Sequence, residues 1–199
     1  MREIEDESNL GDPPSLFAEV RSTVTAGQIS VSWFSANAGG AQPPRLKTSS
    51  ALLQSHSIDK GAKLTQVGWK IFLTGGLKVQ TKVAKLLIRP ADGDGSTLTV
   101  ADSQAMVSMN YARVSHSACY GRNALIVSGS WKEESISTVE CLNLNPNELS
   151  IEWQKLPNLK QGRFDHSSCV LGDQFFAFCG FSRHLTQYLA SIEILDLAA

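Results

Sequence analysis

Two histidine–cysteine pairs hold the most reactive side chains in this 199-residue chain: His116-x-x-Cys119 and His166-x-x-Cys169. Four nitrogen and sulfur ligands of this kind form a structural zinc site when they converge tetrahedrally. The flanking residues read as strand, where a spacing of three sends side chains to opposite faces, so neither pair is expected to close on one ion. The same geometry separates imidazole from thiol for nucleophilic catalysis, and no helix end or cationic neighbour marks an activated thiolate. Asp92-Gly-Asp94-Gly-Ser96 opens like a calcium loop, but Thr97 and Ser103 stand where that loop needs glycine and glutamate, so a tight hairpin turn is expected. Lys78, Lys82, Lys85 and Arg89 could touch phosphate; a solvated strand face is the simpler reading. The residues therefore predict no catalytic group, metal or cofactor.

The composition narrows the partners. Eighteen basic and nineteen acidic residues give a net charge of −1, so no global field draws nucleic acid or an anionic membrane. The start, Met1-Arg2-Glu3-Ile4-Glu5-Asp6-Glu7, is acidic where a signal peptide is basic and then apolar, and no apolar run reaches a membrane span. Cys119, Cys141, Cys169 and Cys179 are scattered through apolar segments, and no Asn-x-Ser/Thr acceptor occurs. A soluble, cytoplasmic chain with reduced thiols is expected, its length sufficient for one substantial core.

The elements that place these residues are repeated. Arg113-Val-Ser-His116-Ser117-Ala-Cys119 returns as Arg163-Phe-Asp-His166-Ser167-Ser-Cys169, an offset of 50. Gly121 and Gly172 mark turns, and Gly129 and Gly180 close the following apolar runs at an offset of 51. Thr138-Val-Glu140-Cys-Leu142 then matches Ser191-Ile-Glu193-Ile-Leu195 at an offset of 53. Length changes confined to connections fit a repeated strand unit, because loops tolerate insertion and paired strands do not. Ala124–Val127 and Phe175–Phe178 read as strands buried on both faces. Thr138–Leu144 and Ser191–Leu197 read as strands covered mainly on one side, and Ile151–Leu156, anchored by Trp153, as a fourth strand ending at Pro157. Gly68-Trp-Lys-Ile71-Phe-Leu-Thr-Gly75-Gly76 is a worn earlier copy, with Ala84 in place of the glutamate.

Arg-x-x-His-Ser, an apolar strand ending in glycine, Val-Glu-x-Leu, and Trp ahead of Leu-Pro together resemble the Kelch repeat. The resemblance implies an all-β fold: a partial or truncated Kelch-type β-propeller of about three four-stranded blades, the last lacking its own fourth strand. Residues 51–112 are then a degenerate repeat, 113–162 a repeat, and 163–199 a repeat truncated after its third strand. Residues 1–50 are poorly defined, with a possible strand at 28–34 that would close the last blade. Only one glycine of the paired glycines survives in the later copies, Gly129-Ser130 and Gly180-Phe181.

The recurring residues Gly75, Gly76, Arg113, His116, Gly129, Glu140, Trp153, Arg163, His166, Gly180 and Glu193 are expected to build the repeat, with Arg113 and Arg163 contacting Glu140 and Glu193. Recognition falls to residues that differ between copies. Trp131, Lys132, Glu133, Arg183, His184 and Tyr188, in loops that the resemblance places on one face, are the candidate partner-binding set. The expected function is a binding module or scaffold for a protein partner. The alternatives are a propeller enzyme, since some Kelch propellers are oxidases, epimerases or specifiers, and a divergent fragment of a larger protein. Open sheet edges would also allow association with further blades or with a second copy.

Overall fold

The computed structural model describes residues 60–91, 98–131, 135–145 and 152–198, together with the backbone of three earlier strands. The chain is all-β in these regions. Strands β1 (Leu16–Ser22), β2 (Gly27–Ser35) and β3 (Arg45–Leu52) form one antiparallel sheet in the order β1-β2-β3. Residues 28–34 are thus strand, but β2 is the centre of its own sheet and pairs on both sides, so it does not close the last unit. No helix of the described residues is long and apolar enough to cross a membrane.

Three further antiparallel sheets follow in sequence. The first holds β4 (Lys63–Val67), β5 (Lys70–Thr74), β6 (Val83–Pro90) and β7 (Leu98–Ala105). The second holds β8 (Ser117–Gly121), β9 (Ala124–Trp131), β10 (Ser135–Asn143) and β11 (Trp153–Leu156). The third holds β12 (Ser167–Leu171), β13 (Gln174–Phe178) and, after a small hairpin of β14 (Phe181–Ser182) and β15 (Gln187–Tyr188), β16 (Ile192–Asp196). Strands neighbouring in sequence pair within each sheet, and the leading strands β4, β8 and β12 lie next to one another.

Turn chemistry sets the hairpins. Arg122 and Asn123 both adopt positive φ (51° and 57°), the signature of the two-residue turn whose twist matches its strands. Gly68 and Gly172 take positive φ at the first position of the equivalent turns. Gly172 therefore matches Arg122 and not Gly121. The offset of 50 runs unbroken through the hairpin, since Cys119 pairs with Ile126 as Cys169 pairs with Phe176. Cys179, with φ of 55°, consequently occupies the place of Gly75 (61°) and Gly129 (63°), while Gly180 stands where Gly76 and Ser130 stand. The sequence match of Gly129 with Gly180 was one residue out of register, because a glycine had been aligned to a glycine where the backbone puts a cysteine.

Apolar side chains fill the spaces between sheets. Phe72 and Val83 of the first sheet meet Leu125, Val127, Leu142 and Trp153 of the second. On its other side the second sheet presents Cys119, Ile126 and Val139 to Phe175 and Ala177 of the third. β9 is buried on both faces, as expected, but β13 is not: Phe175 and Ala177 are buried while Phe176 and Phe178 stay half-exposed. The strand β7 was missed in the sequence because its residues are mostly exposed and its apolar alternation is confined to Leu98 and Val100.

Gly129 is the tightest point. A Cβ there would lie 2.2 Å from the Arg163 carbonyl oxygen, in a backbone region that already costs a side chain about 1–2 kcal/mol. Gly129→Ala is expected to cost about 2 kcal/mol of stability or more, read as a lower urea midpoint, and Cys179→Gly to raise stability by up to about 1 kcal/mol; equilibrium unfolding of both variants checks the pair.

Candidate functional site

The most demanding polar residues are internal. Arg113 is completely buried, and its guanidinium spans two strands of the second sheet: Nε donates to Glu140 Oε1 (3.0 Å), and Nη1 to the carbonyls of Gly129 (2.8 Å) and Thr138 (3.0 Å). Arg163 repeats this with Cys179 O (2.8 Å), Ser191 O (3.3 Å) and the Glu193 carboxylate. Each glutamate also accepts backbone N–H groups from the chain leading to its arginine: Asn110 and Tyr111 for Glu140, Lys160 and Gln161 for Glu193. Burial pulls the Arg113 pKa down, and Glu140 opposes that pull.

The arginine backbone belongs to the neighbouring sheet. The Arg113 carbonyl accepts from Gly76 N (3.0 Å) and its N–H donates to Gln80 O (2.8 Å), so its side chain holds the second sheet while its main chain holds the first. The Arg163 carbonyl accepts from Ser130 N in the same way. Only the backbone N–H at this position is needed, which is why Ser130 can stand where Gly76 stands; its hydroxyl also accepts from Val114 N (2.8 Å).

The histidines close the same joints. His116 Nε2 lies 2.8 Å from Thr74 Oγ1 on the first sheet, and His166 Nε2 lies 2.8 Å from Ser128 Oγ on the second. Burial first, then the nearby Arg113, holds His116 well below the ordinary imidazole value; burial and Arg163 push His166 down to about 3. Each ring faces the preceding sheet whereas Cys119 faces the following one, so the first pair's spacing serves packing; in the second pair Cys169 is exposed and does not repeat the packing role expected of it. Burial pushes the Cys119 thiol up to about 11, leaving it protonated and a poor nucleophile. Asp92–Ser96, read as a hairpin turn, lies outside the described residues.

The candidate partner-binding residues lie at one end of the sheets. Leu77, Trp131 and Phe181 are equivalent: each donates its N–H to the carbonyl of a residue just ahead of the leading strand of its own sheet, Lys60 before β4, Val114 before β8 and Phe164 before β12. Leu77 and Trp131 are exposed. The Arg183 guanidinium sits 5.9 Å from the Trp131 ring centroid, linking the second and third sheets by a cation–π contact. Phe181 packs edge-on to Tyr188 at 5.1 Å, yet Tyr188 remains 84% exposed. His184 and Leu185 are exposed in the same hairpin tip. Trp131, Arg183 and Tyr188 are thus gathered into one patch; Lys132 and Glu133 lie outside the described residues. Phe181 and Leu185 were not singled out as site residues, although they lie in the loop 181–188 that the sequence marks for recognition; its hairpin, pairing Phe181 with Tyr188, is the Trp131–Ser135 connection of the second sheet lengthened, as the change of offset from 50 to 53 shows.

No protein-family model and no curated protein matches the chain. Among solved structures, that of YjhT superposes with a TM-score of 0.57 at 13% identity, over 75% of this chain and 49% of YjhT. The chain therefore spans about half the length of that structure, and the likeness is one of fold.

Removing Glu140 strands a buried guanidinium, so Glu140→Ala is expected to cost about 3–5 kcal/mol, and Glu193→Ala less, since water reaches Glu193; urea midpoints check the order. The folded state keeps both imidazoles neutral, whereas the unfolded chain protonates them near pH 6.5. Stability present above about pH 6.5 is therefore lost as the pH falls from there towards about 3, the value of His166. His166→Gln is expected to flatten this loss between pH 6.5 and 4, read as melting temperature against pH.

Proposed function

We propose that the chain forms part of a Kelch-type β-propeller and acts as a binding module for a protein partner. Three features support the propeller: successive antiparallel sheets with their leading strands side by side, an arginine–glutamate pair repeated in two of them, and a column of backbone bonds beside those strands. In that column Ser115 N donates to Gly61 O (2.9 Å) and Asp165 N to Ser115 O (2.8 Å), one step per sheet.

The observation that carries the binding role is the patch of exposed Trp131, Tyr188, Arg183 and Leu185, backed by the half-buried Phe181. Tryptophan, tyrosine and arginine are the residues that most often anchor protein interfaces. Their surface is assembled from two sheets but belongs to neither sheet's core, and it differs in every copy of the repeat, with Leu77 where the second sheet has Trp131. A partner would seat an apolar side chain against Trp131 and Tyr188 and set a carboxylate or carbonyl on Arg183.

Affinity capture followed by quantitative proteomics tests this. Proteins enriched on the wild-type chain are expected to fall about tenfold or more on the variant Trp131→Ala/Arg183→Ala/Tyr188→Ala, whose melting temperature should stay close to wild type because the patch is exposed. An unchanged set of enriched proteins overturns the assignment.

A further inference from the structure

The hairpin tip beside the aromatic patch carries a hydroxyl that the binding role does not use. Arg183-His184-Leu185-Thr186 is a turn closed by the Thr186 N–H donating to Arg183 O (3.2 Å), and all four residues are exposed. The ladder beneath it is two residue pairs long, Phe181 with Tyr188 and Ser182 with Gln187. Thr186 holds a φ of 53°, where a β-branched residue is strained and glycine or asparagine is not. Its hydroxyl offsets part of that strain by donating to the same Arg183 carbonyl (3.3 Å).

Arginine three residues ahead of a threonine is the spacing that basophilic protein kinases read: an acidic groove takes the guanidinium while the hydroxyl reaches the γ-phosphate. Such enzymes bind their substrate extended. Opening this tip relieves the positive φ at Thr186, breaks only a short ladder and leaves the apolar clusters between the sheets untouched. Ser182, in the same hairpin, is buried, its hydroxyl accepts from Leu185 N (3.5 Å), and no arginine precedes it at that spacing. Arg45-x-x-Thr48 has the spacing, but Thr48 lies inside β3, paired with Ser32.

We propose that Thr186 is a phosphorylation site whose phosphate closes the patch to its partner. ATP supplies the γ-phosphoryl group: the Thr186 Oγ1–P bond forms as the bond to the β–γ bridging oxygen breaks, ADP leaves, and the hydroxyl proton passes to the kinase's catalytic carboxylate. The residue then carries about −1.5 to −2 charges near pH 7 and no longer donates to Arg183 O. Arg183 belongs to the same turn, and its guanidinium forms charge-assisted, forked bonds to phosphate that outweigh a cation–π contact at an exposed ring. It is drawn off the Trp131 ring, whose centroid lies 5.9 Å away, and is no longer open to a partner's carboxylate. The tip becomes net negative and repels that carboxylate. This effect on binding rests on the proposed role of the patch; the modification itself does not.

The intact chain, incubated with calmodulin-dependent protein kinase and magnesium ATP, is the test, with phosphate mapped by mass spectrometry. One phosphate on Thr186 is expected, absent from Thr186→Val and entering Arg183→Gln about tenfold more slowly or less, since a charge-assisted contact to the kinase is lost. No phosphate on Thr186, phosphate on Thr48 in its place, or incorporation indifferent to Arg183→Gln overturns the site. Proteins whose capture depends on Trp131, Arg183 and Tyr188 are expected to be enriched about tenfold less on the phosphorylated chain; undiminished enrichment overturns the switch. If no captured protein depends on the patch, it is the binding role that fails, and the switch is read from the Arg183 Nε–H resonance. That resonance is expected to move downfield on phosphorylation as the guanidinium leaves the Trp131 ring for the phosphate, and an unmoved resonance overturns the switch.

Discussion

A guanidinium buried between two strands dictates the geometry around it. Arg113 cannot be left unpaired at 0% exposure, so the Glu140 carboxylate and the carbonyls of Gly129 and Thr138 must converge on it within hydrogen-bond reach. Such an arrangement is weak evidence for high stability, since desolvating two ions offsets most of their attraction. Its effect here is on register. A slip of one residue in β10 would turn Glu140 to the other face and leave both charges buried without partners. Because the arginine main chain is bonded to the preceding sheet through Gly76 and Gln80, the same side chain also sets how neighbouring sheets sit.

The positive-φ residues follow from this joint. The carbonyl of Arg113 comes within 2.4 Å of where a Cβ on Gly75 would be, and that of Arg163 within 2.2 Å of the same place on Gly129. The chain can bring these carbonyls in only where the preceding strand ends in a left-handed residue without a side chain on that side. Cys179 adopts the same conformation with a side chain, and its thiol is exposed on the third sheet. The first sheet shows how far the joint can be reduced. Ala84 occupies the glutamate position there, and the sheet relies on an apolar cluster of Ile71, Leu73, Leu86 and Ile88.

Much of this was legible in the sequence because buried polar residues are few and costly, so they recur where they are needed. Arg113 with Glu140 and Arg163 with Glu193 were readable as partners, and Trp153 as the anchor of a fourth strand. What could not be read was register to a single residue. Glycine was matched to glycine at 121 and 172 and at 129 and 180, although the backbone requires only a left-handed conformation, which Arg122 and Cys179 also adopt. The strand at 28–34 was visible, but its partners were not, since alternation shows that a strand has a buried face and does not say which neighbour covers it. β7 showed that alternation only at Leu98 and Val100. Of the candidate site, Trp131, Arg183 and Tyr188 were found as large residues in loops of unequal length; their convergence depends on two sheets meeting, which no local pattern reveals.

The division between repeated and unrepeated residues has a physical basis. A residue at a joint must satisfy a carbonyl, a carboxylate and a neighbouring backbone at once, so few side chains serve there, and the same ones return at an offset of 50. Residues beyond the joint face water, and the fold accepts leucine, tryptophan or phenylalanine at 77, 131 and 181 with the same backbone bond behind each. Selection on a partner can act on those positions without touching the arginine network. The patch around Trp131 and Tyr188 lies on that freer side of the division, and it exposes apolar groups that the adjoining sheets do not use.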